Sequence, residues 1–185
     1  MRVFPAALRS ARQSKTRSSD YLVKSFPAFP ARGSLREIEE GLQLQPKFDE
    51  NGLIPCVTQD ATTREVLMVA MVNAEALAKT IASGVAHYWS RSRRKLWRKG
   101  EQSGFVQRVV RLLVDDDQDC VLLQVQVEGG ASCHVGYRSC FFRALKQCDA
   151  DTDFALELLE TEKVFDPAKV YHTAQDAAAV PARGD

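Results

Sequence analysis

The stretch REVLMVAMVNAEALAKTIASG, residues 64–84, decides the fold class. Its first nine residues, Arg64 to Val72, are apolar after the first two and rich in β-branched side chains but too short for a helix, so they read as a strand. Asn73 then offers an N-cap oxygen, Ala74 to Ser83 carries Ala74, Leu77, Thr80 and Ile81 at helical spacing, and Gly84 suits the left-handed residue that ends a helix. Outward from this unit, Leu53 to Thr58, His87-Tyr88-Trp89, Phe105 to Val114 and Cys120 to Val127 read as further strands. Asn51-Gly52 and Gly129-Gly130 supply turns. Upstream, Ser34-Leu35-Arg36-Glu37 is a capping-box pattern, with Leu35, Ile38 and Leu42 at helical spacing behind it. Downstream, Leu156 to Val164 reads as one helix. Few connections are long enough for parallel crossovers, so the expected class is α+β, a mostly antiparallel sheet with a few helices.

The chain has 185 residues, 45% hydrophobic and 26% charged, which suits one ordinary domain. No apolar run approaches the ~20 residues of a membrane span. The net charge of +1 hides an asymmetry: residues 1–33 hold seven Lys or Arg and one acid, leaving 18 basic and 23 acidic residues elsewhere, or −5. Residues 1–33 are therefore expected to form a disordered basic extension, a transit peptide or an upstream mis-called start being the other readings. Residues 34–148 form the expected domain, 149–165 a helix packed on or near it, and 166–185 a loosely ordered tail. Five cysteines, an odd number thinly spread, argue against a secreted disulfide scaffold and fit free thiols or a metal site in a reducing compartment.

Three constellations carry chemistry. Asp115, Asp117 and Asp119 alternate, so on an extended strand they share one face and repel unless a cation lies between them. Oxygen ligands of this kind suit magnesium or calcium; a solvated acidic turn is the plainer alternative. Cys133-His134 and Cys140 place two thiols and an imidazole within eight residues, the types zinc prefers, although the spacing is not that of a zinc finger. Two buried thiols beside a surface histidine would look the same. Six cations lie in the nine residues from Arg91 to Lys99, flanked by Ser90, Gly100 and Ser103. That run fits phosphate binding, an RNA grip with Trp89 and Trp97 as stacking platforms, or a solvated basic hairpin. Together the three suggest metal-assisted hydrolysis of a phosphorylated substrate.

At these residues the chain resembles the phosphoribosyl-AMP cyclohydrolase family. The likeness is carried by Asn51-Gly52-Leu53-Ile54-Pro55, Met71-Val72-Asn73-Ala74-Glu75-Ala76-Leu77, Tyr88-Trp89-Ser90-Arg91-Ser92 and Leu96-Trp97-Arg98-Lys99-Gly100-Glu101. It continues through Ser103-Gly104, Asp115 to Asp119, and Cys133-His134 to Ser139-Cys140. The resemblance implies an enzyme of the third step of histidine biosynthesis, hydrolysing the N1–C6 bond of the adenine ring in N1-(5-phosphoribosyl)-AMP. It implies a cytoplasmic homodimer with the metal site at the interface, zinc on Cys133 and Cys140, and magnesium on Asp115, Asp117 and Asp119. His134 is implied as the general acid and base. Ser90, Arg91, Trp97, Lys99, Gly100 and Ser103 are implied to hold the substrate's phosphates.

One position departs from the family. A zinc-ligating cysteine usually stands between the first two aspartates, and here that residue is Asp116. Asp116 binding zinc through oxygen, Cys120 substituting for it, and a weakened site are the three readings. On an extended strand Cys120 would lie ~13 Å from Asp116, which favours Asp116. The residues after Cys140 are too few for the all-helical domain fused in some relatives, so the chain reads as monofunctional. Rival functions are an RNA-binding module using the Arg91–Lys99 run, against which the −5 of the domain speaks, and a purine-ring hydrolase with an altered substrate. No nucleic-acid or membrane partner is expected.

Overall fold

The strand and capped helix of residues 64–84 form as their sequence dictates. In the computed structural model, which describes residues 28–146 and 154–171, β2 spans Val66–Asn73 and α2 spans Ala74–Ser83. Asn73 accepts from the backbone N–H of Ala76 at 2.8 Å, and Gly84, at φ 69°, closes the helix with a bond to Thr80. The buried side of α2 is Ala76, Leu77 and Thr80. Ala74 and Ile81, expected on that side, are exposed.

Around this unit lie α1 (Leu35–Glu39), β1 (Leu53–Asp60), β3 (His87–Ser90), β4 (Lys95–Arg98), β5 (Gln107–Val114), β6 (Val121–Val127), β7 (Arg143–Leu145), β8 (Leu156–Leu158) and α3 (Pro167–Val170). Six strands form one sheet in the order β4-β3-β2-β1-β6-β5, and β7 pairs with β8. The sheet is mixed: β1 runs parallel to β6, with Cys56 opposite Val121, while the other neighbours are antiparallel. The expectation of mostly antiparallel pairing missed this central pair. It considered connections between successive strands, whereas the parallel pair joins two local hairpins distant in sequence. Ile54, Leu67, Val72, Leu77, Tyr88, Val121, Leu123 and Val125, each at most 1% exposed, fill the core. No described helix is long and apolar enough to cross a membrane.

Three further expectations need correction. The capping box at Ser34 is present, but α1 is a single turn that buries only Ile38; Leu42 lies beyond it, fully exposed. Contacts also begin before Ser34: Phe29 packs on Phe48 at 6.1 Å, and Arg32 donates to the carbonyl of Gln45 at 2.7 Å. The rest of the basic extension, residues 1–27, lies outside the described residues, as do 147–153 and 172–185. Finally, the stretch read as a helix from Leu156 to Val164 begins with strand β8, paired with β7 from Leu145↔Leu156 to Arg143↔Leu158. Helical spacing and strand alternation are hard to separate in so short an apolar run. Asp166 caps α3 with Pro167 at its start, a helix-initiating signal inside the expected tail.

Candidate active site

Past β6, Gly129 and Gly130 both take left-handed φ values (79° and 81°) and turn the chain into the cysteine loop. That loop is stitched by backbone bonds, Ser132 N to Arg138 O (2.9 Å), Cys133 N to Tyr137 O (3.1 Å) and Gly136 N to Cys133 O (3.1 Å). Its far end is pinned to β2, where Cys140 N donates to Leu67 O at 2.7 Å and the Ser139 hydroxyl to Val66 O at 2.8 Å. Gly136 has no substitute here. Its φ is 107°, and a Cβ would sit 2.4 Å from the carbonyl oxygen of Phe165.

This stitching brings the thiols of Cys133 and Cys140 together. The Cys140 thiol donates to the Cys133 sulfur and lowers Cys133 to about 6, while the same bond and burial push Cys140 up. Cys133 is thus the sulfur of the pair shifted towards the thiolate, the form that ligates metal. His134 is exposed beside it, and its charge adds to the lowering. Lys99 is buried, and its ammonium feels both Cys140 and Cys133, which offset part of the downward push of burial. The two thiols suit zinc in donor chemistry but supply only part of its usual four-ligand set, and the Lys99 ammonium is no ligand. Among the described residues, no third Cys, His, Asp or Glu joins the pair in a cluster. Cys56, fully buried and raised to about 12, is an inert core thiol.

Asp115, Asp117 and Asp119 do converge, with ligand atoms within 4.8 Å of one another. They do so on a turn, not on an extended strand. β5 ends at Val114, Gln118 takes φ 60°, and Asp115 N bonds back to Cys120 O at 3.4 Å. The ~13 Å separation inferred for Cys120 therefore does not hold. Buried Gln118 anchors the turn, accepting from Gln45 N at 2.6 Å and donating to Ile38 O at 3.1 Å. Lys47 is the cation that this carboxylate cluster holds: its Nζ donates to Asp117 at 2.6 Å and Asp119 at 3.2 Å, lowering Asp117 and raising Lys47. No sequence pattern points to Lys47, which lies in an ordinary loop some 70 residues upstream. Cys120 closes this turn with its backbone N–H on Asp115 at 3.0 Å, while its thiol, 3.8 Å from the Val121 carbonyl, is raised by burial and then by Asp115 and Asp119. Asp116 is exposed.

The basic run folds as the β3–β4 hairpin. Arg94, at φ 47°, makes its tip, and Ser90 accepts from Arg93 N at 3.3 Å. Arg91, Arg93, Arg94 and Lys95 are exposed, whereas Trp97 packs on Tyr88 at 5.0 Å and belongs to the core edge. Gly100 follows at φ 84°, and a Cβ there would meet the backbone of Phe105 and Val106 at 2.7 Å. Ser103 accepts from Phe105 N at 3.3 Å in the same loop. Of the residues grouped as phosphate ligands, Lys99 alone is drawn inward to the thiols.

The chain is similar to known proteins. The model of the family described as phosphoribosyl-AMP cyclohydrolase matches residues 68–142. A phosphoribosyl-AMP cyclohydrolase of Rhodopseudomonas palustris (strain BisA53) is 56% identical over 142 residues, covering 77% of this chain and 96% of the relative. That of strain BisB18 is 54% identical, covering 80% and 99%. The Nitrobacter hamburgensis protein of the same name is 50% identical, covering 77% and 96%. With half or more of the aligned residues identical across nearly the whole length of these relatives, the chain belongs to the phosphoribosyl-AMP cyclohydrolase family.

Proposed function

We propose that the chain hydrolyses the N1–C6 bond of the adenine ring in N1-(5-phosphoribosyl)-AMP, as a cytoplasmic homodimer that uses zinc and magnesium. The observation that carries this reading is the Cys133–Cys140 pair with its lowered thiol, inside a chain of this family. Zinc held by the two sulfurs would supply Lewis acidity beside the ring and ease deprotonation of water. His134 takes the proton released as water oxygen joins C6 and returns one to N1 as the N1–C6 bond breaks. The exposed guanidinium of Arg91 and the hydroxyls of Ser90 and Ser103 hold the phosphates. Lys99 holds positive charge against the thiolate from within the fold.

Magnesium on Asp115, Asp117 and Asp119 has to displace Lys47. Lys47→Met is therefore expected to tighten magnesium binding roughly two- to tenfold, the scale of exposed ion pairs. Asp117→Asn is expected to weaken it. Calorimetric magnesium titration checks both, and a weaker Lys47→Met would sink the displacement argument.

A homodimer accounts for a thiol pair that lacks further ligands among the described residues, because a group on the aspartate turn of the other subunit can complete it. Asp116 is exposed and free to reach outward, whereas the Cys120 thiol is turned to the Val121 carbonyl at 3.8 Å. Asp116→Ala is accordingly expected to release zinc, Asp116→Cys to hold it at least as firmly, and Cys120→Ser to change little. Zinc per chain after dialysis against a mild chelator decides; the reverse pattern transfers the role to Cys120. The activity itself is tested by metal analysis and turnover of N1-(5-phosphoribosyl)-AMP on one preparation. Salt-sensitive RNA binding without turnover would replace the reading with the binding module.

A further inference from the structure

A chain of hydrogen bonds crosses the buried interior from the sheet to the cysteine loop. Thr58 Oγ1 on β1 lies 2.7 Å from the Tyr88 hydroxyl on β3, and that hydroxyl donates to Gln107 Oε1 on β5 at 2.7 Å. Gln107 Nε2 in turn donates to Ser132 Oγ at 3.0 Å and touches the sulfur of Met68 at 3.6 Å. Thr58, Tyr88 and Gln107 are 0% exposed and Ser132 is 4% exposed. Tyr88 gives its one proton to Gln107, so Thr58 is the donor in the first bond and the chain runs in one direction to Ser132. Polar groups so deeply placed cost stability unless all are paired, and apolar residues would fill the same space more cheaply. The far end of the chain is the residue immediately before Cys133. Backbone bonds tie the loop to itself at Ser132 and Cys133 and to β2 at Cys140. The Gln107–Ser132 bond is the side-chain tie from the sheet to the Cys133 end.

We propose that Gln107 is a positioning residue for the metal thiols: acting through Ser132, it holds Cys133 in place opposite Cys140. This rests on the reading of the two cysteines as zinc ligands. The test uses the full-length protein and four variants, with zinc affinity measured by chelator competition and urea unfolding measured on the metal-free form. Ser132→Ala and Gln107→Met are expected to weaken zinc binding by roughly 10- to 100-fold, the scale of lost outer partners of metal ligands. Thr58→Val removes an equally buried bond at the other end of the same chain. It is expected to lower stability while changing zinc affinity less than about twofold. Should Gln107→Met not fold, Ser132→Ala carries the test. Wild-type zinc affinity in Ser132→Ala, or a loss in Thr58→Val as large as in Ser132→Ala, overturns the proposal alone. A wild-type protein that binds zinc no better than Cys133→Ala overturns the zinc reading and this proposal with it.

Discussion

Cys133→Ala and Cys140→Ala are each expected to lose bound zinc and to lower turnover by at least about a thousandfold, equivalent to ~4 kcal/mol of transition-state stabilisation. The fold brings the two thiols together, and on the proposed reading a zinc site with so few ligands does not survive losing one. The fold should persist, because the loop is held by the backbone bonds of Ser132, Cys133 and Cys140 and not by the sulfurs. Zinc per chain and kcat on the same preparations check this result. Full turnover in either variant ends the zinc assignment.

His134→Ala is expected to give the complementary result: zinc retained, with kcat lowered 10²- to 10⁴-fold, the usual contribution of a positioned acid–base group. Exposed as it is, His134 has little packing to lose, so thermal stability should stay close to that of the parent. Steady-state kinetics alongside metal analysis distinguish the roles. If zinc leaves together with activity, His134 is a ligand and the proton carrier lies elsewhere.

Legibility in the sequence followed the range of the interactions. The β2–α2 unit was readable because Asn73 and Gly84 act on neighbours within four residues. The cysteine pair was readable as two thiols in one short loop, and the resemblance gave them their role. The aspartate trio was found for the wrong geometric reason. Alternation suggested one face of a strand, whereas the left-handed Gln118 and its bonds to Gln45 and Ile38 converge the carboxylates on a turn. Those bonds, like that of Lys47 to Asp117, span some 70 residues or more and leave no local pattern. Lys99 was grouped with a solvent-facing basic run because charge alone does not show which member folds inward. The β7–β8 pair was missed because three-residue strands carry too little alternation to distinguish them from a helical turn.

The parallel seam between β1 and β6 orders the folding of the molecule. Its residues, Cys56 and Val121 for example, stand 65 positions apart, while β1–β2, β3–β4 and β5–β6 each close short loops. Loop-closure entropy favours the three hairpins first, and the seam forms only when two of them meet. The aspartate turn belongs to one early hairpin. The cysteine loop, anchored to β2 and to Gln107 on β5, needs both hairpins and the seam between them. On this topology the turn that carries the three aspartates closes early within its hairpin, whereas its anchors to Gln45 and Ile38 and the pairing of the thiols wait for distant segments to dock. A chain stalled before that docking has its aspartate turn closed but unanchored and its thiols unpaired.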